Sequence, residues 1–165
     1  MARKVTSKGT SNVVLRTATI EDLPTLLQFE QGVVSAERAL VSSMVQTGEV
    51  TYYNLPALIT AHTQALVLIA ELSGVAIGCG LTKILPNKEF YSEKLKGYIG
   101  LIYVLPKYRR RGVSRFILDS LVDWLRLKEV KDIRLDVFSN NHQALAAYQK
   151  IGFSPLLIEM QLQLD

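Results

Sequence analysis

The chain of 165 residues has one cysteine, Cys79, and two histidines, His62 and His142. A lone thiol excludes an internal disulfide and a thiolate cage for zinc. The histidines stand eighty positions apart and match no metal-ligand spacing, so no metal is expected. Long apolar runs are also missing: the longest, Ala65–Ala70, has six residues, against the roughly 18 that a membrane helix needs. Met1–Asn12 is polar and basic, unlike an export signal. No repeat or low-complexity stretch follows, and 48% apolar with 21% charged residues is ordinary globular usage. These absences predict a soluble, cytoplasmic protein, with residues 1–12 a flexible basic tail and 13–165 one domain.

No single charge sign dominates the body. Lysine and arginine exceed the acids by 19 to 15, and Arg3, Lys4 and Lys8 account for three of the four, leaving +1 for residues 9–165. A second basic knot, Lys107, Arg109, Arg110, Arg111 and Arg115, occupies one short stretch. So local an excess, with no aromatic stacking platform beside it, disfavours nucleic acid as a partner.

What is present reads as alternating strands and helices. Val13–Ala18 has the pattern of a strand, and Thr19 with Asp22 forms a capping box before a helix carrying Leu23, Leu27, Glu30 and Val33 on one stripe. Further helices are predicted over Ser35–Gln46 and Leu55–Thr63. Ala65–Glu71 and Val75–Leu85 flank Leu72-Ser73-Gly74 as a hairpin. Gly97–Leu105 is apolar enough for a central strand, and Gly100 within it signals a bulge or a close approach to the backbone. Val113, Ile117, Leu121 and Trp124 define one face of a helix over Gly112–Leu127. Ile133, Leu135 and Val137 alternate as a strand. A helix over Asn141–Lys150 follows, capped by Ser139 or Asn140 and stopped by Gly152. Ile158, Met160, Leu162 and Leu164 alternate as a last strand. This order predicts an α/β (α+β) layer fold on a mixed sheet.

Two segments carry chemistry. In Tyr103–Arg115 an apolar strand ends at Pro106, three successive arginines form a turn, and a helix opens at Gly112. The unpaired N–H groups and positive dipole end of that helix create an anion site suited to a pyrophosphate; a plain solvated arginine turn is the other reading. A single glycine excludes the dinucleotide fingerprint, and no Gly-Lys-Ser/Thr follows to make a P-loop. In the second segment Ala144, Ala147, Tyr148 and Ile151 share a helix face. A tyrosine there is either a core ring whose hydroxyl reaches solvent or a group with a function.

Together the segments resemble the GNAT superfamily of acyl-CoA-dependent N-acetyltransferases. Arg109-Arg110-Arg111-Gly112-Val113-Ser114, preceded by Val104-x-Pro106-x-Tyr108, is similar to that family's acyl-CoA loop. Asn141-x-x-Ala144-x-x-x-Tyr148-x-x-x-Gly152-Phe153 is similar to its closing motif, and Gly112 and Asn141 lie 29 residues apart. Arg110 stands where glycine is frequent, adding charge, and Ser114 where glycine or alanine is usual. The resemblance implies a mostly antiparallel sheet of six to seven strands flanked by about four helices. It implies acetyl-CoA as cosubstrate, with backbone at Ile102, Tyr103 and Val104 holding the pantetheine arm. The loop Arg109, Arg110, Arg111, Gly112, Val113, Ser114 and Arg115 would hold the pyrophosphate. Asn141 would fix the cofactor, and Tyr148 would stand near the thioester sulfur as general acid.

The same resemblance leaves gaps. No acid side chain lies in Gly97–Val104, where the family's base is common. Glu30, Glu37 and Glu71 are the topological alternatives, with Tyr103 along the path. The acceptor amine, of a small molecule or a protein, is expected against Glu30, Glu37, Tyr53 and Glu71, with Glu89 and Glu93 able to attract a cation. Cys79 reads as a small core hydrophobe. The primary expectation is an N-acetyltransferase, monomeric or homodimeric. The alternatives are an acyl-CoA-binding module without catalysis and, behind it, a basic nucleic-acid-binding protein.

Overall fold

The computed structural model describes residues 12–164 and the backbone of Arg3–Lys4. Six strands follow chain order across one sheet: β1 (Arg3–Lys4), β2 (Val13–Thr17), β3 (Ala65–Leu72), β4 (Val75–Pro86), β5 (Leu95–Val104) and β6 (Asp132–Arg134). Helices α1 (Leu23–Arg38), α2 (Leu55–Thr60), α3 (Val113–Leu127) and α4 (His142–Gln149) complete the expected α/β class. Neighbours pair antiparallel except β5 and β6, which are parallel. That parallel step needs a crossover, and α3 supplies it. β1 pairs with β2 through Arg3 and Lys4; the rest of the expected basic tail, up to residue 11, lies outside the described residues.

The apolar pattern decides which surfaces meet. β3 and β4 are apolar on both faces because helices cover both. On one face α1 and α2 bury Leu26, Phe29, Leu55 and Ile59 against Val67, Ile69, Leu81 and Leu101. On the other, α3 buries Val113, Ile117, Leu118, Leu121 and Leu125 against Leu68, Ala70, Ile77 and Ile99. The α3 stripe therefore continues to Leu125, and Trp124 sits half-buried at its rim beneath the Lys128 ammonium, 5.4 Å from the ring. Ser73 and Gly74 both have positive φ, 53° and 77°, the two-residue turn whose twist suits a hairpin.

Several expected boundaries move. The helix expected over Ser35–Gln46 does not form: α1 runs unbroken to Arg38 and residues 39–50 turn irregularly. Ser42, Ser43, Thr47 and Gly48 favour turns over helix. Arg38 also ties the loop down, donating to the carbonyls of Val45, Thr47 and Gly48 at 2.7, 3.1 and 2.6 Å. The third helix stops at Thr60 rather than Thr63. Asn141 itself caps α4, its Oδ1 accepting from the Ala144 amide at 3.2 Å. Asn140 instead donates to the carbonyl of Leu40. β6 is three residues long, and Leu135–Val137 continue without a strand partner. The alternating segment Ile158–Leu164 is not a strand, because none of the described strands pairs with it.

Candidate active site

The site grows from a flaw in one ladder. β4 and β5 pair Cys79 with Tyr103, then Leu81 with Gly100, so Leu101 and Ile102 stand together opposite Gly80. This is the bulge that Gly100 signalled, and Leu101 carries its strain at φ 46°. Gly100 also has the second feature, a close approach: a Cβ there would lie 2.3 Å from the Tyr53 hydroxyl oxygen. Any side chain would push Tyr53 off the bulge.

Tyr53 is held there from below. Glu30 of α1 is fully buried, and its Oε1 accepts from the amides of Tyr52 and Tyr53, both at 3.0 Å. Gln31 braces the same segment, donating to Val50 C=O at 2.8 Å. Tyr53 and Tyr98 lie close enough to bear on each other's ionisation, and the Leu101 backbone bears on Tyr53 as well. Tyr98 donates to Asp136 Oδ2 at 3.0 Å. Burial raises the pKa of Tyr53 and of Tyr98, so both phenols keep their protons near neutrality. Tyr98 thus joins the neighbourhood of the bulge to an exposed carboxylate.

Beside these tyrosines the sheet opens. β5 pairs with β6 only through Lys96, Gly97 and Tyr98. From Ile99 to Val104 its outer edge has no strand partner among the described residues. At the end of the opening the chain turns at Pro106–Tyr108, and α3 begins behind Gly112, which has φ 82°. The first backbone bond of that helix joins Phe116 N–H to Gly112 C=O at 3.0 Å. Among the described residues no acceptor outside α3 takes the amides of Arg110–Arg115. Arg110 has φ 60°, so it does more than add charge: the left-handed turn costs a residue with a Cβ about 1–2 kcal/mol, the reason glycine suits this position.

The other expected residues divide. Arg109 spends its side chain on the protein, donating to Val104 C=O at 2.9 Å with its guanidinium 5.7 Å from the Tyr103 ring. Tyr103 in turn packs on Phe29, rings 5.2 Å apart. Val113 is buried in the core, whereas Ser114, Arg110, Arg111 and Arg115 are exposed at the turn, Arg115 paired with Asp119 at 2.8 Å. Ile102 is half-buried against the α3 side. Asn141 keeps only its amide NH₂ free, since its carbonyl caps α4.

Tyr148 is half-buried, packed edge-on to Phe153 with ring centroids 6.1 Å apart. Its hydroxyl makes no hydrogen bond among the described residues. Burial foremost, with the Glu37 carboxylate adding to it, pushes its pKa up, so it stays a proton donor. Glu37 accepts from the Tyr52 hydroxyl at 2.6 Å. Glu30 is not an open acceptor ligand: it is buried inside α1's packing, positioning Tyr53. Glu71 is spent elsewhere, accepting from Arg16 Nε at 2.7 Å. The Cys79 thiol is buried beneath the bulge, 3.6 Å from Leu101 C=O, and burial raises its pKa, which makes it inert.

Sequence reasoning missed Tyr98 and Asp136. A signal existed: Tyr98 and Gly100 are two apart on one strand, and Asp136 alternates away from Leu135 and Val137. What it lacked was the partner strand.

The Acetyltransferase (GNAT) family model matches residues 35–153. N-alpha-acetyltransferase 30 of Saccharomyces cerevisiae is 29% identical over 79 residues, covering 48% of this chain and 43% of that protein. The [Ribosomal protein bS18]-alanine N-acetyltransferase of Salmonella typhimurium is 37% identical over 57 residues, 34% of this chain and 38% of that one. The chain thus spans about two fifths of the length of the curated relatives it matches. A predicted acetyltransferase from Clostridium acetobutylicum, crystallised with acetyl-CoA, superposes with TM-score 0.65 at 21% identity, covering 92% of this chain and 96% of its own. That likeness establishes the fold, and the family match over residues 35–153 spans more than half of the chain. The chain belongs to the acetyltransferase (GNAT) family.

Proposed function

We propose that this protein transfers an acetyl group from acetyl-CoA to a primary amine, the α-amino group of a polypeptide being the acceptor. One observation carries the reading: β5 parts from β6 beyond Tyr98, and the opening ends at a turn whose amides have no acceptor outside α3 among the described residues. The residues present fit the cosubstrate. The N–H groups of Arg110–Arg115, with the guanidinium of Arg111, match a diphosphate. The free edge of β5 at Ile102, Tyr103 and Val104 offers backbone groups to an amide-bearing arm, and Asn141 offers its NH₂. Acetyl-CoA supplies the acyl carbon as a thioester.

The chain's own groups then move protons and hold charge. Tyr53, Tyr98 and Asp136 lead the amine's proton away, each phenol passing one proton as it receives another, to the carboxylate. Backbone N–H groups of the bulged β5 would suit the charge that develops on the carbonyl oxygen. Tyr148 gives its proton to the departing sulfur. Such a weak base suits an α-amine. Its pKa of about 7.7–8.0 lies roughly 1 unit above pH 7, whereas lysine at about 10.4 lies roughly 3.4 units above. The relatives named above are described as N-alpha- and alanine N-acetyltransferases, in keeping with that acceptor.

A panel of free-amino, N-terminally blocked and lysine-bearing peptides, with CoA thiol release as readout, tests the reading. Release is expected with free α-amines and not with blocked peptides. Acetyl-CoA should raise the melting temperature, and Gly112→Asp, which sets a carboxylate at the diphosphate turn, should abolish the shift. Stabilisation by acetyl-CoA with no release from any amine would leave a binding module in place of an enzyme.

A further inference from the structure

β4 runs inside the sheet, and its residues from Ile77 to Thr82 are buried. Lys83 follows them and is the one charge in that strand. A charge drawn partly out of water is costly unless something compensates it. Among the described residues only two lysines, Lys83 and Lys96, are half-buried; the others are exposed. Lys96 lies close enough to the Asp132 carboxylate to help lower its pKa. Lys83 has no carboxylate within ion-pair distance among the described residues. Its ammonium instead lies 5.8 Å from the centre of the Tyr53 ring and 5.5 Å from that of Tyr98. Aromatic faces attract a cation but occupy none of its three N–H donors as an anion would. The two acids that bear on these phenols are committed: Asp136 accepts from the Tyr98 hydroxyl and Glu37 from that of Tyr52. Lys83 is a positioned cation with room for an anion.

We propose that Lys83 receives a carboxylate of the acceptor, so that the protein prefers polypeptides whose second residue is aspartate or glutamate. The inference rests on the α-amine reading above and names its substrate class. Lys83 and its ladder partner Tyr98 lie on the sheet face where Tyr53 covers Gly100. The bulge, Leu101 with Ile102, stands opposite Gly80, three residues before Lys83 and so about 10 Å along the strand. One residue of extended acceptor advances about 3.5 Å from an amine held at the bulge. The side chain of that second residue and the flexible stem of the lysine span the rest. The α-carboxylate of a free amino acid is tied one carbon from its amine and falls short. A charge-assisted hydrogen bond at a half-buried ammonium then discriminates an acid from its amide.

The test compares three peptides of otherwise identical sequence, opening Ala-Glu, Ala-Gln and Ala-Lys, by thiol release and by fluorescence-anisotropy Kd on the full chain. Wild type is expected to favour Ala-Glu over Ala-Gln by about tenfold in kcat/KM and in Kd, and Ala-Lys least. Added salt should shrink that ratio. Lys83→Met, which keeps the apolar stem, should bring the ratio near one, and Lys83→Glu should invert it in favour of Ala-Lys. A purely structural lysine would lower all three peptides alike and invert nothing. Equal use of Ala-Glu and Ala-Gln by wild type would overturn the proposal and leave the transferase reading standing. So would a preference that survives Lys83→Met, or free glutamate used as well as the Ala-Glu peptide. Tighter binding of Ala-Glu that is lost in Lys83→Met, with no thiol released from any peptide, would uphold the carboxylate subsite and overturn the transferase reading instead.

Discussion

Adding one methyl group at Gly100 should damage stability and activity together. The new Cβ would lie 2.3, 2.8 and 3.0 Å from Oη, Cζ and Cε1 of Tyr53. Tyr53 cannot slide along its own chain, because Glu30 holds the amides of Tyr52 and Tyr53 at 3.0 Å. The ring must instead tilt away by about 1 Å. Overpacking costs about 1–3 kcal/mol, here near the upper end because three ring atoms stand within 3.0 Å. A total near 3 kcal/mol lowers the melting temperature by about 6–12 °C in a domain of this size. Displacing a positioned group by about 1 Å costs up to ~100-fold in rate, so kcat for acetyl transfer should fall by a comparable factor. Calorimetry and thiol release measure the two effects. A double-mutant cycle isolates the contact: on a Tyr53→Ala background the methyl meets no ring, and its added cost should vanish. If Gly100→Ala melts and turns over like wild type, or costs as much without Tyr53 as with it, Tyr53 does not rest on the bulge as described.

Glu30→Ala strips the acceptor from two buried amides and should cost about 3 kcal/mol in urea unfolding. Glu30→Gln keeps an acceptor oxygen and should stay within about 1 kcal/mol of wild type, which separates hydrogen bonding from charge. Asp22 is held at about 2, below its ordinary 3.8, first by the Arg16 guanidinium. A depressed carboxylate stabilises the fold above its unfolded value, and that stability is lost as pH falls from about 4 toward 2. Asp22→Asn should lower stability above about pH 4 and flatten this acid limb, so that the two stability-against-pH curves converge as pH falls toward 2. Tyr148→Phe should lower kcat by ~100-fold or more with little change in KM for acetyl-CoA; equal kcat would remove the phenol from the chemistry. Asp136→Asn should lower kcat with little change in KM for acetyl-CoA, and an unchanged kcat would place the proton elsewhere.

The turn that opens α3 was legible because its geometry is local. Gly112 at a helix start, arginines before it and an apolar strand ahead lie within a dozen residues of one another. Helix-start amides follow from backbone geometry alone. Gly100 was legible for the same reason: a glycine in a central strand has few explanations, and here both the bulge and the close approach are present. Glu30 and Glu71 were misread as acceptor ligands because a carboxylate's role depends on its neighbours. Glu30 meets backbone amides 22 and 23 positions away, and Glu71 meets an arginine 55 positions away. Asp136 was invisible as a proton acceptor because its partner, Tyr98, stands 38 residues back on another strand.

By itself the sequence determined the layer order, the apolar faces of α1 and α3, the hairpin turn and the glycine-led turn before α3. Each depends on contacts between residues a few positions apart, where periodicity and turn chemistry act. Only the tertiary structure decided where β5 leaves β6, which carboxylate meets the tyrosines, and that the last alternating segment has no strand beside it. Those outcomes depend on register and on pairing between distant segments, and a two-residue repeat states that a strand is ready to pair without stating with which edge.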